Sequence, residues 1–484
     1  MDGHNTHRKT VDPIAHLRGH RGSISSVCFI RESLTTGVDS DSGSLDQKLE
    51  SLSGNEEHFA SPQILASCDT SGNAYLWNTS TRRIIAQFGF DRRERQVNIT
   101  GQPCHSCDPG LCLRRLMSTS HHDDESQVSA SRHFMYHTRG MEGIVSVLDI
   151  EQLPGSSSSD RGNISPVLTS NVDAKQTAIS SIFEVQTRSS TFCAAAPCRG
   201  DTNLLAAPSD DECVARVYDI RMRADMPVLV VHGAGCPGSA ARNYRPIDSE
   251  HREHGMLTSL SMSIAQSGTP ILGCGMESGE IYFHDCRALR AIDQSSCSGS
   301  LFGGPLLGAE VNHFPTVGSM QLSRDPILSL DLFGYSSTKF NLREELSDSV
   351  IVIGGCAGDA AEGLPTTDRA TGAIVKASFY HNLALPWIRI RSRFKTCDVD
   401  ENAAGGKPGI SCCRFRDDGK LFAAGGWDHR ARIFSKKGTA LAILKGHAET
   451  VTAVDWSADL YSGLFSTGSS DGKILLWRLF PSGR

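Results

Sequence analysis

Long apolar runs are missing from this sequence. No stretch approaches the roughly 18 apolar residues of a membrane-spanning helix. The opening MDGHNTHRKTVDP has no apolar core of a secretory leader, so neither a membrane span nor export is expected. Positive charge is not in excess: 48 Lys and Arg stand against 54 Asp and Glu, which leaves no global basic footprint for nucleic acid. Catalytic signatures are absent as well: there is no nucleophile elbow, no Gly-rich phosphate loop and no H-E-x-x-H. No enzyme, cofactor or metal is therefore expected. Cysteine is not scarce, at 16 residues, but many stand singly in apolar, strand-like runs, as Cys28, Cys68, Cys274, Cys356 and Cys412 do. Free cysteine behaves there as a small hydrophobe. Reduced thiols in the nucleus and/or cytoplasm are expected.

What is present is a repeat, clearest at the C-terminal end. Ala440 to Trp477 reads ALAILKGHAETVTAVDWSADLYSGLFSTGSSDGKILLW. Four strand-like pieces, ALAIL, VTAVDWS, GLFSTGS and KILLW, are separated by Gly446-His447, Ser457-Ala458-Asp459 and Ser470-Asp471-Gly472. Gly-His, then Asp-Gly, then a strand-ending Trp, with a period of roughly 40–45 residues, is the pattern of WD40 repeats. The pattern has a physical basis. A buried imidazole and a buried indole N–H both need partners. A chain from Asp471 through His447 and Thr467 to Trp477 would supply them.

The template recurs upstream in worn form. The first repeat offers His20, Ser67 and Trp77, with Ser71 where the turn aspartate would be. Tyr218 and His284 take the Trp place in later repeats. Seven units are read in all, at about 18–88, 89–172, 173–232, 256–294, 326–391, 408–445 and 446–480. The segment 11–17 is expected to return as the fourth strand of the last unit and remove an exposed sheet edge. The fold class is thus all-β, a single seven-bladed WD40 β-propeller over 11–480 with long inter-strand insertions. Those at 31–62, 101–131, 154–163, 235–255, 295–325 and 359–372 are rich in Ser, Gly, Asp and Pro, and are predicted to be disordered.

The stretch GGWDHRARIF at 425–434 contains a Trp-Asp pair in an unusual place. Aligned on the last repeat, Asp428 falls on Asp471 and Phe434 on Trp477. Asp428 is then the turn aspartate, and Trp427 is an extra aromatic beside His429 and Arg430. Trp and Arg are the types most enriched in binding hot spots. Trp427, His429, Arg430 and Arg432 are the candidate partner-binding residues. His20, Ser67, Trp77, Asp428, Phe434, His447, Thr467, Asp471 and Trp477 are the candidate structural ones.

These residues carry a resemblance. AAGGWDHRARIF, ALAILKGHAETVTAVDWSAD and STGSSDGKILLWRLFPSGR, with LRGHRGSISSVCF and LAAPSDDECVARVYD upstream, resemble the ASTRA-associated protein 1 (guanine nucleotide-binding protein beta-subunit-like protein 1) family. The resemblance implies a non-catalytic scaffold in an ASTRA-type complex. Its partners would be the TELO2–TTI co-chaperone system and phosphatidylinositol-3-kinase-related kinase clients, with a link to chromatin remodelling. A single copy within a hetero-complex is expected, with no direct nucleic-acid or membrane contact.

Other constellations point elsewhere. YDIR, Tyr218 to Arg221, is similar to the strand-end W-D-x-R by which some WD40 proteins dock on a cullin-4 ligase adaptor. A Gβ-like adaptor would need an N-terminal helix to coil with its partner, and a first strand near residue 11 leaves no room for one. Cys104, Cys107 and Cys112, with His105, His121 and His122, begin a zinc-like pattern but lack a second spaced pair. Arg92-Arg93-Glu94-Arg95 and Arg389 to Arg393 are short basic clusters, read as solvated faces.

Overall fold

A computed structural model describes residues 10–30, 63–90, 97–99, 109–118, 133–139, 143–150, 179–224, 226–232, 255–265, 268–286, 316–334, 349–356, 372–378, 387–394, 409–460 and 462–480. Within them the chain is all-β, and no helix occurs among the described residues.

Strand order resolves the described residues into four-stranded antiparallel meanders. The first holds Ile24–Ile30, Ile64–Asp69, Ala74–Asn78 and Arg83–Phe90, with Val97–Ile99 added at its outer edge. The second holds Gly110–Arg115, Phe134–Thr138, Ile144–Ile150 and Ile179–Gln186. Ala196–Gly200, Leu204–Pro208, Val214–Asp219 and Leu229–His232 form the third, and Leu257–Ile264, Pro270–Met276, Glu280–Asp285 and Thr316–Gln321 the fourth. A parallel pairing of Cys198 with Met262 joins these two into one sheet. The fifth is Ile327–Gly334, Ser349–Cys356, Gly372–Ser378 and Trp387–Phe394. The sixth is Ile410–Phe415, Leu421–Gly426, Ala431–Ser435 and Ala440–Leu444. The last is Val451–Trp456, Leu464–Ser469 and Lys473–Arg478, completed by Ala15–Arg18, with Ala15 opposite Leu476. The first strands of successive meanders touch in order, and that of the last touches that of the first. This is a β-propeller arrangement.

Hydrophobic packing explains the ring. Each of seven apolar clusters among the described residues is shared by two neighbouring meanders. A meander's apolar faces are covered only by its neighbours, so stability is built between blades rather than within them. Hydrogen bonds follow the same logic. Open N–H groups on one first strand are taken up by side chains of the blade before it. Ser261 Oγ accepts from Leu332 N at 2.9 Å and Asp331 Oδ2 from Phe415 N at 2.6 Å. Asp455 Oδ2 accepts from Phe29 N at 2.8 Å, across the closure. Edges that could template further pairing are thereby capped.

Three sequence expectations are corrected. The span 101–131, expected to be an insert, contains the strand Gly110–Arg115, the first strand of the second blade. Two arginines in GLCLRR disguise it as a polar segment. The span 295–325 contains Thr316–Gln321, a polar edge strand of the fourth blade. At the start of the chain, Thr10–Val11 pairs in parallel with Ile443 and Leu444 of the sixth blade rather than joining the last one. The segment therefore straps two blades together. Of the other expected inserts, 31–62 and 154–163 lie outside the described residues, as do all but the final residues of 235–255 and 359–372.

Candidate partner-binding face

The last repeat places its polar residues as a connected set. His447 Nε2 is 2.8 Å from Thr467 Oγ1, and Trp477 Nε1 donates to the same hydroxyl at 3.0 Å. His447 Nδ1 lies 3.4 Å from Asp471 Oδ1, off the line of a hydrogen bond. Asp471 also accepts the backbone N–H groups of Ala448 and Lys473, at 2.9 and 3.0 Å. Burial raises the Asp471 pKa, but these N–H groups outweigh it and hold the carboxyl below its ordinary value. Burial holds His447 below its ordinary value, against the pull of Asp471.

The first repeat builds the same chain with one change. His20 Nε2 is 2.7 Å from Ser67 Oγ, which also accepts Trp77 Nε1 at 2.7 Å. The carboxylate on His20 Nδ1, at 2.8 Å, belongs to Asp69, not to the turn position expected at Ser71. Ser71 is exposed. Asp69 does two jobs that the last repeat divides. Its Oδ1 accepts Ser71 N at 2.9 Å, as Ser469 Oγ accepts Asp471 N at 3.2 Å, while its Oδ2 holds the histidine. Burial raises the Asp69 pKa, but hydrogen bonds from His20 and Asn73 overcome this and lower it.

The sixth blade has no such chain. Ala424 stands where Thr467 stands, by strand register, and Phe434 where Trp477 stands. Phe434 instead stacks on Phe422, with centroids 5.0 Å apart and planes at 15°, and meets Phe394 at 4.9 Å. Asp428, freed from a histidine, is held by both ends of one guanidinium: Arg432 Nη1 to Oδ1 at 3.0 Å and Nη2 to Oδ2 at 2.6 Å. Arg432, expected at the surface as a partner-binding residue, is buried at 3% exposure by this pairing. It is a structural residue.

The turn between those strands is shaped by its backbone. Gly426 N donates to Arg430 O at 2.9 Å, and Trp427 N to Gly409 O at 3.1 Å. The Trp427 ring lies against Gly409, where an added Cβ would be 2.5 Å away. One face of the indole is thus covered and the residue is half-buried. His429 has φ +66°, in the left-handed region. The corresponding turn residues of the first, fourth and last blades are glycines, Gly72, Gly279 and Gly472, with φ of 86°, 82° and 74°. An L-residue here costs about 1–2 kcal/mol. His429 and Arg430 are both exposed.

A second feature on this face was not singled out from sequence. Phe192 is 64% exposed, the most exposed large hydrophobic among the described residues, and the Arg139 guanidinium carbon lies 3.9 Å from its ring centroid. Arg139 follows the second strand of its blade, and Phe192 precedes the first strand of the next. Antiparallel order puts both at the end of the ring that carries the Trp427–Arg430 turn. Its signal in the sequence was a lone Phe in the polar run RSSTF.

The remaining candidates are dispersed. Tyr218 is buried at the strand end, and Arg221 folds back on Asp219, with Nη2 to Oδ2 at 2.6 Å. His284 is buried at the Trp position of the fourth blade. Arg389, Arg391 and Arg393 are exposed on the outermost strand of the fifth blade, whereas Arg92, Arg93 and Arg95 lie outside the described residues. So do Cys104, His105, Cys107, His121 and His122, while Cys112 is buried in the core. No group of three or more potential metal ligands occurs among the described residues.

Two segments of the chain, 403–435 and 438–478, match the family described as WD domain, G-beta repeat. They include the Trp427–Arg430 turn and the His447–Thr467–Trp477 chain. These two segments carry WD40 repeats. This WD40 protein is 38% identical over 81 residues to ASTRA-associated protein 1 of Schizosaccharomyces japonicus, covering 16% of this chain and 22% of that protein. It is 41% identical over 75 residues to guanine nucleotide-binding protein subunit beta-like protein 1 of Mus musculus, covering 15% and 22%. ASTRA-associated protein 1 of Aspergillus flavus shares 44% over 63 residues, 12% of this chain and 15% of that one. The matches span about a fifth of the length of these relatives or less.

Proposed function

We propose that this WD40 protein is a non-catalytic scaffold subunit of an ASTRA-type complex. It acts with the TELO2–TTI co-chaperone system in the maturation or stability of phosphatidylinositol-3-kinase-related kinases, in the nucleus and/or cytoplasm, with a link to chromatin remodelling. The observation that carries this reading is the strained, outward turn at Trp427–Arg430 within a segment of WD-repeat sequence, joined by the exposed Phe192–Arg139 pair at the same end of the ring. A rigid ring with aromatic and arginine side chains on one face suits the clasping of protein partners. Similarity to proteins named ASTRA-associated supports the choice of complex.

The test is reciprocal affinity purification of the full chain from its own cells, with kinase abundance measured after its depletion. The expected result is recovery of ASTRA and TELO2–TTI components, and a fall in kinase levels on depletion. Recovery of a cullin-4 adaptor, lost on Arg221→Ala, would replace this reading with a ligase substrate receptor. Recovery of a Gγ-like subunit would replace it with a Gβ-like adaptor.

A further inference from the structure

The ring of first strands surrounds a partly open axial cavity of about 30 Å³, lined in part by Arg114, Arg115, Arg199, Arg414, Asp331 and Ser261. One water needs roughly 10–15 Å³ of such space. The cavity therefore has room for two or three water-sized groups.

Its charges do not balance. Register places Arg114, Asp331, Arg414 and Asp455 at the same position of four first strands, so they converge on the axis. Arg115 reaches across the ring to Asp417 and donates to Trp456 O at 2.7 Å. Arg199 donates to Asp331 Oδ2 at 3.2 Å and lies 3.9 Å from Asp417 Oδ1. Arg414 Nε is 3.0 Å from Asp455 Oδ1. Those pairs engage all three carboxylates, and Asp331 and Asp455 also cap backbone N–H groups. Arg114 is the fourth guanidinium and has no hydrogen bond or ion pair among the described residues. Arg115 Nε and Arg199 Nη1, in side chains only 6% and 10% exposed, lack hydrogen-bond partners there as well. Burial opposes the charge of Arg114, but neighbouring negative charge, that of Asp331 and Asp455 included, outweighs it and holds the guanidinium above its ordinary value. Burial, and then the Arg114 charge, hold Arg414 below its ordinary value. Arg114 is only half-buried, so its charge is partly solvated, and its approach to Arg414 leaves a local excess of positive charge at the cavity wall.

We infer that the axial cavity binds a small inorganic oxyanion of phosphate or sulfate size, held by Arg114 with Arg115, Arg199 and Arg414 around it. Guanidinium donors in a partly enclosed site are the usual means of holding such an ion. The ion would neutralise the fourth arginine and bridge blades two, three and six. This inference does not depend on the scaffold reading.

The experiment uses the full chain exchanged into potassium gluconate, with inorganic phosphate, sulfate or chloride titrated in at constant ionic strength. Thermal unfolding and calorimetric titration are read together. The expected result is a saturable rise in Tm of about 3 °C with phosphate or sulfate, and measurable heat of binding. Arg114→Gln removes both, so that its Tm no longer depends on phosphate or sulfate. Arg430→Gln, at the surface, keeps the response. A rise that is linear and unsaturable, as excluded salts give, overturns the inference. So does an equal saturable response to chloride, retention of the response in Arg114→Gln, or an Arg114→Gln protein destabilised equally with and without phosphate.

Discussion

Acid should unfold this protein through one histidine more than through its carboxylates. His137 sits on the second strand of the second blade, 2% exposed, and its Nδ1 accepts the Ala195 N–H of the next blade at 3.1 Å. Burial alone lowers its pKa from the usual 6.5 to about 3. The unfolded chain takes up a proton on this residue as pH falls below about 6.5, and the folded chain does not until about 3. The stabilisation is therefore complete above the unfolded value and is lost progressively as pH falls, at about 1.4 kcal/mol per unit. Between pH 7.5 and 4.5 the loss is about 2–3 kcal/mol. His447, also held low by burial, acts in the same direction. Asp69 and Asp471, whose pKa values are lowered, lose their contribution only below about pH 4, outside this window. The assay is urea unfolding at half-unit pH steps for the wild type and His137→Asn. The asparagine oxygen stands where Nδ1 stands, so it can still accept from Ala195 N but cannot take the proton. Its stability curve should be flatter by about 2–3 kcal/mol across the window, even if it starts lower. Parallel curves would refute the reasoning.

Further expectations follow from the same contacts. Ser67→Ala strands both His20 and the Trp77 indole and should cost about 2–4 kcal/mol, whereas exposed Ser71→Ala should stay within about 0.5 kcal/mol; chemical denaturation distinguishes them. His429→Gly should raise stability by about 0.5–1.5 kcal/mol, read as a higher unfolding midpoint, because it removes left-handed strain. Arg432→Ala leaves the mostly buried Asp428 carboxylate unpaired and should cost about 3 kcal/mol. The buried thiol of Cys28, pushed up to about 12, should react with a disulfide reagent only on unfolding.

The sequence was most legible where a side chain had one physical reason to be present. His20, Ser67 and Trp77, and their counterparts in the last repeat, could be placed because a buried imidazole and indole need a shared hydroxyl. Asp69 escaped the reading, which looked for the carboxylate at the turn position of Ser71, because a carboxylate at the strand end reaches the same ring nitrogen as one in the turn. The strand Gly110–Arg115 was hidden because its arginines serve the axial cavity, and inward charge looks like loop composition. Arg432 was read as surface because only the register shows it beside Ala424, whose small side chain leaves room for a buried guanidinium. Phe192 carried no periodic signal at all. The face it shares with Trp427 exists only once the strand order is known.

The most direct test of the scaffold reading is affinity purification of the wild-type chain beside a Trp427→Ala/Arg430→Ala variant, with circular dichroism to establish that both are folded. The wild type is expected to recover ASTRA and TELO2–TTI components, and the folded variant to lose them. Equal recovery by both proteins would contradict the assignment of this turn to partner binding and leave GGWDHRARIF as blade architecture alone.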